Sequence, residues 1–318
     1  MRLRLLVLRS LLVAASALAA DTFAAEGPAG DTAEVLVTVD GRPITRGDLE
    51  FRFAARNVAD EDRAGERQAI LERLVDERLM QAFLEGRNAV ATKDAIDAEI
   101  ERLHESIRLR GQDPREVLAR SGYSDAVLRR ELALPIAWRS YARAAITPDQ
   151  LRQYFEKHRR RFDGTELRAS QIFSKATTDP EREAAARKLA AIRKQIADGQ
   201  STFADAARRH SEAPTAAAGG DVGFFPYRGK MPEAFTRQAF RLERGEIGGP
   251  FSTSYGVHLV SITDVRPGQL SLEDVRNEVF EAFAGELWTQ IVKQERAKAK
   301  IEWAQAARPQ VKPSPSPR

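Results

Sequence analysis

Apolar positions along the chain change period three times. Val35, Val37 and Val39 stand at every second position and Asp40-Gly41 follows directly, which predicts a short strand and a tight turn. Thr45 with Asp48 then has the form of a capping box. Helical spacing follows. Ile70, Leu71, Leu74, Val75, Leu79 and Phe83 predict a helix over about 64–86, and Ile96, Ile100, Leu103 and Ile107 another over about 92–110. A third is expected over about 124–143 despite Pro135, and a shorter one opens at Thr147-Pro148-Asp149-Gln150. After Asp163-Gly164 short strands (167–173, 251–253, 257–265) alternate with helices (about 180–197, 203–210 and 232–241), the pattern of an α+β unit of about 100 residues. Leu272, Val275, Val279, Phe283, Leu287, Ile291 and Val292 then form the stripe of a long helix, which must bury that face. The first, helical domain is the nearest candidate, and it would then be discontinuous in sequence.

The chain of 318 residues is too long for one ordinary core and predicts about two domains. Cysteine is absent, so disulfides, thiolate chemistry and cysteine metal sites are excluded. Arg2 and Arg4 precede the apolar stretch 11–20, and small residues near Ala19 and Ala24 offer cleavage sites, so residues 1–24 are expected to be a secretory signal. Arg2, Arg4, Arg9 and Asp21 leave with it, lowering the net charge from +4 to +2. So small a charge gives no footprint for nucleic acid. Nothing later in the sequence is apolar enough to span a membrane. The tail from about 304, rich in Pro and Ser, is expected to be disordered.

Between Glu166 and Arg266 a series of motifs occurs in order. They are Leu167-Arg168-Ala169-Ser170-Gln171-Ile172, Phe203-Ala204-Asp205-Ala206-Ala207 with Ser211, and Gly219-Gly220-Asp221-Val222-Gly223-Phe224-Phe225. Gly229-Lys230-Met231-Pro232, Phe235 with Ala239-Phe240, Gly245-Glu246-Ile247 and Thr253-Ser254-Tyr255-Gly256-Val257-His258 complete it. Each piece alone is weak, but the ordered set resembles the parvulin (rotamase) prolyl isomerase family. The segment 35–51, with Val39-Asp40-Gly41-Arg42-Pro43-Ile44-Thr45, looks like the start of a SurA-type chaperone domain. The resemblance implies an α+β fold: a parvulin-like domain (small antiparallel sheet surrounded by helices) plus an all-helical SurA-like domain completed by a C-terminal helix. The expected divisions are a signal peptide 1–24, a helical domain with linking helix 25–165, the isomerase domain 166–266, a C-terminal helix 267–303 packing on the helical domain, and a tail 304–318.

Prolyl isomerisation breaks no covalent bond. Its barrier of about 18–20 kcal/mol is amide resonance, so the site must bind the twisted amide better than the planar one. No metal, cofactor or nucleophile is implied. By resemblance Val222, Met231 and Phe235 form the proline pocket, with Phe225 beside it, and His258 is the second of two facing family histidines. The first is Gln171 here, which can hydrogen-bond His258 but cannot titrate. A position that is cysteine or aspartate in many parvulins is Ala213, and Lys175 is the one basic side chain where phosphate-directed members carry a basic pair. The implied activity is prolyl isomerase and chaperone for unfolded secreted or outer-membrane proteins, in the periplasm or outside the cell. The alternative is a peptide-binding chaperone whose parvulin module turns over weakly.

Overall fold

The computed structural model describes residues 32–121 and 123–308; the expected signal peptide lies outside them. The chain divides into two compact units. One takes the described residues up to Thr147 together with those from Ala284, and the other is Pro148–Phe283.

The first unit opens with β1 (Val35–Val39) and β2 (Arg42–Thr45), an antiparallel hairpin. Asp40 and Gly41 both take positive φ, 48° and 78°, the requirement of a two-residue turn whose twist suits a hairpin. The capping box is present: the Asp48 N–H donates to Thr45 Oγ1, and the Thr45 N–H donates to Asp48, starting α1 (Arg46–Ala55). Four helices follow: α2 (Asp60–Glu85), α3 (Lys93–Arg108), α4 (Pro114–Arg120) and α5 (Asp125–Ala145). Thr92, Asp113 and Ser124 side chains accept from the first turns of the last three. Leu36, Val37, Val39 and Ile44 of the hairpin pack with Leu49, Phe53, Ile70, Leu71 and Val75 in one core cluster. Ile100, Leu103, Ile107, Leu128 and Leu132 form a second.

In the second unit α6 (Pro148–Lys157) and the single turn α7 (Arg159–Phe162) lead into a four-stranded antiparallel sheet of order β4-β3-β6-β5. Its strands are β3 (Glu166–Lys175), β4 (Asp221–Pro226), β5 (Ile247–Thr253) and β6 (Gly256–Arg266). Helices α8 (Asp179–Ala197) and α9 (Phe203–His210) cover one face through Ile172, Leu189, Ile192, Val257 and Leu259. Helix α10 (Glu233–Ala239) lies with Leu167, Ala169, Phe225, Val260 and Ile262.

The long helix α11 (Leu272–Arg296) has a kink at Val275, where φ is −118° and ψ 15°. Its two parts belong to different units. Phe283 stacks on Tyr154 in the second unit, with ring planes 10° apart, and Arg228 pairs with Glu278 there. Trp288 meets Trp138 edge to face at 5.2 Å in the first unit, where Ile291 and Val292 are buried. The chain then forms β7 (Ile301–Trp303), which pairs with β1 to give the order β2-β1-β7.

Several expectations are corrected. The first unit is not all-helical, because a three-stranded sheet closes it. Residues 301–303 are strand and not helix, and Ala307 is fully buried, so order extends into the segment expected to be a disordered tail. The C-terminal helix is divided between the units: Phe283 meets Tyr154 in one, and Trp288 meets Trp138 in the other. The structural boundary falls at 147/148, ahead of the linking helix, where the sequence pattern placed it at 165/166.

Candidate functional site

The site is built on one face of the second unit's sheet. Side chains alternate across a strand, so Leu167, Ala169, Gln171 and Phe173 of β3 share a face. His258 lies opposite Phe173 on β6. The His258 ring is buried at 7% exposure among three aromatic rings: Phe173 at 4.9 Å, Phe235 at 5.5 Å and Phe251 at 5.6 Å, the last nearly parallel. Phe225 meets Phe235 edge to face at 5.8 Å. Val222, Met231, Leu242 and Phe251 are partly buried against the same cluster.

Both ring nitrogens of His258 are engaged. Nδ1 lies 3.1 Å from Gln171 Oε1, and Nε2 lies 2.9 Å from Thr253 Oγ1. The Tyr255 N–H donates to the same Thr253 hydroxyl. A carboxamide oxygen only accepts, so Nδ1 carries the proton and donates to Gln171. Nε2 then accepts from the Thr253 O–H, so the hydroxyl and both ring nitrogens are satisfied. The opposite tautomer would leave a buried hydroxyl proton without an acceptor, which costs about 1–3 kcal/mol. Burial also disfavours the charged ring and holds the His258 pKa well below the ordinary histidine value, at about 4. The imidazole is neutral at physiological pH.

Backbone geometry sets Gln171 in place. Its N–H donates to Gly220 O at 2.9 Å. Gly220 has φ +84°, and a Cβ there would stand 2.3 Å from the Gln171 carbonyl oxygen. The second glycine of Gly219-Gly220-Asp221 is therefore a requirement of close approach. The loop 211–213 is fastened to the same strand. Ser211 Oγ accepts from the Phe173 N–H, and Glu212 accepts from the Lys175 N–H and the Ser174 hydroxyl. Those bonds, the Lys175 amide first, hold the Glu212 carboxyl below the usual carboxylate range. On the other face Arg168 donates to Asp221.

The six residues singled out in the sequence come together, but not in one role. Gln171 touches His258. Val222 and Met231 are half-buried. Phe225 and Phe235 are fully buried. They are the floor on which the half-buried residues rest. Sequence reasoning gave no role to Thr253, Phe251 or Phe173. Thr253 was visible within Thr253-Ser254-Tyr255-Gly256, yet only the fold aims its hydroxyl at His258. Ala213 is buried and offers no polar group.

Residues 171–264 match the rotamase family, described as the PPIC-type PPIASE domain. Over 215 residues the chain is 26% identical to the foldase protein PrsA of Geobacillus kaustophilus, covering 67% of each chain. It is 24% identical over 324 residues to the putative peptidyl-prolyl cis-trans isomerase SurA of Haemophilus influenzae, covering 97% of each. A third relative, the chaperone SurA of Cupriavidus metallidurans, is 38% identical over 128 residues, 39% of this chain and 25% of that one. Together with the motif order and the sheet topology, these matches make the segment 171–264 a parvulin-type peptidyl-prolyl isomerase domain, carried in a chain of SurA-like architecture.

Proposed function

We propose that the chain is an exported foldase that isomerises X-Pro bonds in unfolded secreted or outer-membrane proteins, with residues 166–266 as catalyst and the helical unit as the client-holding part. Export rests on the leader-like residues 1–24; among the described residues no helix is long and apolar enough to cross a membrane. The observation that carries the catalytic reading is the half-buried pair Val222 and Met231 packed against Phe225 and Phe235, with Phe251 and neutral His258 beside the Phe235 ring. A proline ring in such a basin leaves water, and desolvation disfavours the charge-separated planar amide relative to the twisted one. Lowering the barrier by roughly 5 kcal/mol gives about 10³ to 10⁴ in rate. A protease-coupled assay on Ala-Pro and Phe-Pro peptides tests this, with acceleration proportional to enzyme as the expected result and the uncatalysed rate as the result that rejects it.

One observation favours a second reading, a chaperone that grips proline peptides with little turnover. Buried Ala213 stands where many parvulins carry a polar rim group. Saturable binding of a proline peptide in the absence of acceleration would select that reading.

A further inference from the structure

The hydrogen bonds at His258 run in one direction, from the Tyr255 amide through the Thr253 hydroxyl and the imidazole to Gln171 Oε1. The chain ends on a carboxamide whose oxygen is taken and whose Nε2 makes no hydrogen bond among the described residues. Gln171 is half-buried on the pocket face. The cluster residues Val222, Phe225, Phe235, Phe251 and Met231, and Phe173 beside His258, have no side-chain N–H or O–H donor. The Thr253 and His258 protons are already committed.

The geometry points to Gln171 as a catalytic residue of the isomerase site: its Nε2 donates to the prolyl nitrogen of the substrate as the imide bond twists. This deepens the isomerase reading and rests on it. In the planar amide the nitrogen lone pair is delocalised and accepts poorly. Twisting localises the pair on nitrogen, so a donor aimed there binds the transition state better than the ground state. A donor to the carbonyl oxygen would instead favour the planar form, where that oxygen carries more charge. Thr253 and His258 are then positioning residues. They fix which way the carboxamide faces, because His258 Nδ1–H must have the oxygen.

The device does not titrate. The groups in contact with His258 are Gln171 and Phe173 from β3, Phe251 and Thr253 from β5 and Phe235 from α10, none of them charged. The ring itself stays neutral above about pH 4. Activity of the full chain should therefore be flat from about pH 6 to 9.

The test is the pH profile of kcat and KM for the full chain and three variants in the protease-coupled assay. Gln171→Met keeps length but removes the donor, and should lower kcat/KM by about tenfold or more, nearly all in kcat. Gln171→His restores a donor and should recover most of the loss. Gln171→Glu should be as poor as the Met variant at pH 8 and regain activity toward pH 5, as the carboxyl takes up a proton it can donate. Wild-type kcat/KM in a folded Gln171→Met protein overturns the proposal. If that variant misfolds, a Gln171→Glu activity that does not rise on acidification overturns it instead. An inactive wild type removes the isomerase reading as well, whereas an active wild type with indifferent variants removes only the role of Gln171.

Discussion

Arg296 near the end of α11 donates its Nε to Asp76 on α2 at 2.6 Å, and its Nη2 meets both the side chain and the carbonyl of Glu72. All three side chains are about a third exposed, so the ion pairs mark the junction more than they stabilise it. Buried apolar residues of the same helix, Ile291 and Val292, contribute more. Ile291→Ala should cost about 2–5 kcal/mol and Arg296→Ala no more than about 1 kcal/mol. Urea unfolding followed by tryptophan emission tests the ranking, since Trp138, Trp288 and Trp303 all lie in this unit. Equal losses would contradict it.

Phe235 and Met231 should fail in different ways. Phe235→Ala empties a fully buried site and should destabilise the isomerase unit by about 3–5 kcal/mol. Met231→Ala trims a half-buried side chain, and should cost about 1 kcal/mol in stability while lowering kcat/KM severalfold. Circular dichroism in urea beside the peptide assay separates the two. A stable, inactive Phe235→Ala protein would return that residue to the pocket wall.

The buried imidazole makes stability depend on pH. His258 has a folded pKa of about 4 against an ordinary value near 6.5. Between those values the unfolded chain takes up a proton that the folded chain refuses. Its contribution is therefore fully present above about pH 6.5 and is lost as pH falls toward 4, a total of about 3 kcal/mol. Comparing urea midpoints at pH 7.5 and 4.5 for wild type and His258→Gln isolates it from the carboxylates. A difference that is unchanged by the substitution would show that the ring does not carry the effect.

Gly220→Ala should be more damaging than its size suggests. The new methyl would meet the Gln171 carbonyl at 2.3 Å from a backbone at φ +84°. Relief requires β3 and β4 to part where Gln171 is held. We expect a loss of at least about 2 kcal/mol together with loss of isomerase activity. Full activity in the variant would mean that Gln171 tolerates displacement.

The helices were legible because their apolar residues recur at helical spacing and their starts carry caps at Thr45, Thr92, Ser124 and Thr178. Strand β4 was not. It follows Gly219 and Gly220 and is interrupted by Gly223, so nothing in it alternates; its pairing with β3 defines it. Nor was β7, three residues whose only signature is a partner more than 250 positions earlier. At the site, the meeting of Gln171 with His258 followed from motif resemblance. The burial of Phe235 did not, because a core phenylalanine and a pocket phenylalanine read alike until the neighbours are known. The part played by Thr253 depended on the direction of one hydroxyl.

The pairing of β1 with β7 also sets an order of assembly. A chain emerging N-terminus first delivers Val37 early and its partner Trp303 last, with residues 148–283 complete in between. The isomerase unit can therefore close while the first unit still has an open strand edge, able to pair with other chains. During that interval residues 148–283 are complete while β1 still lacks its partner β7.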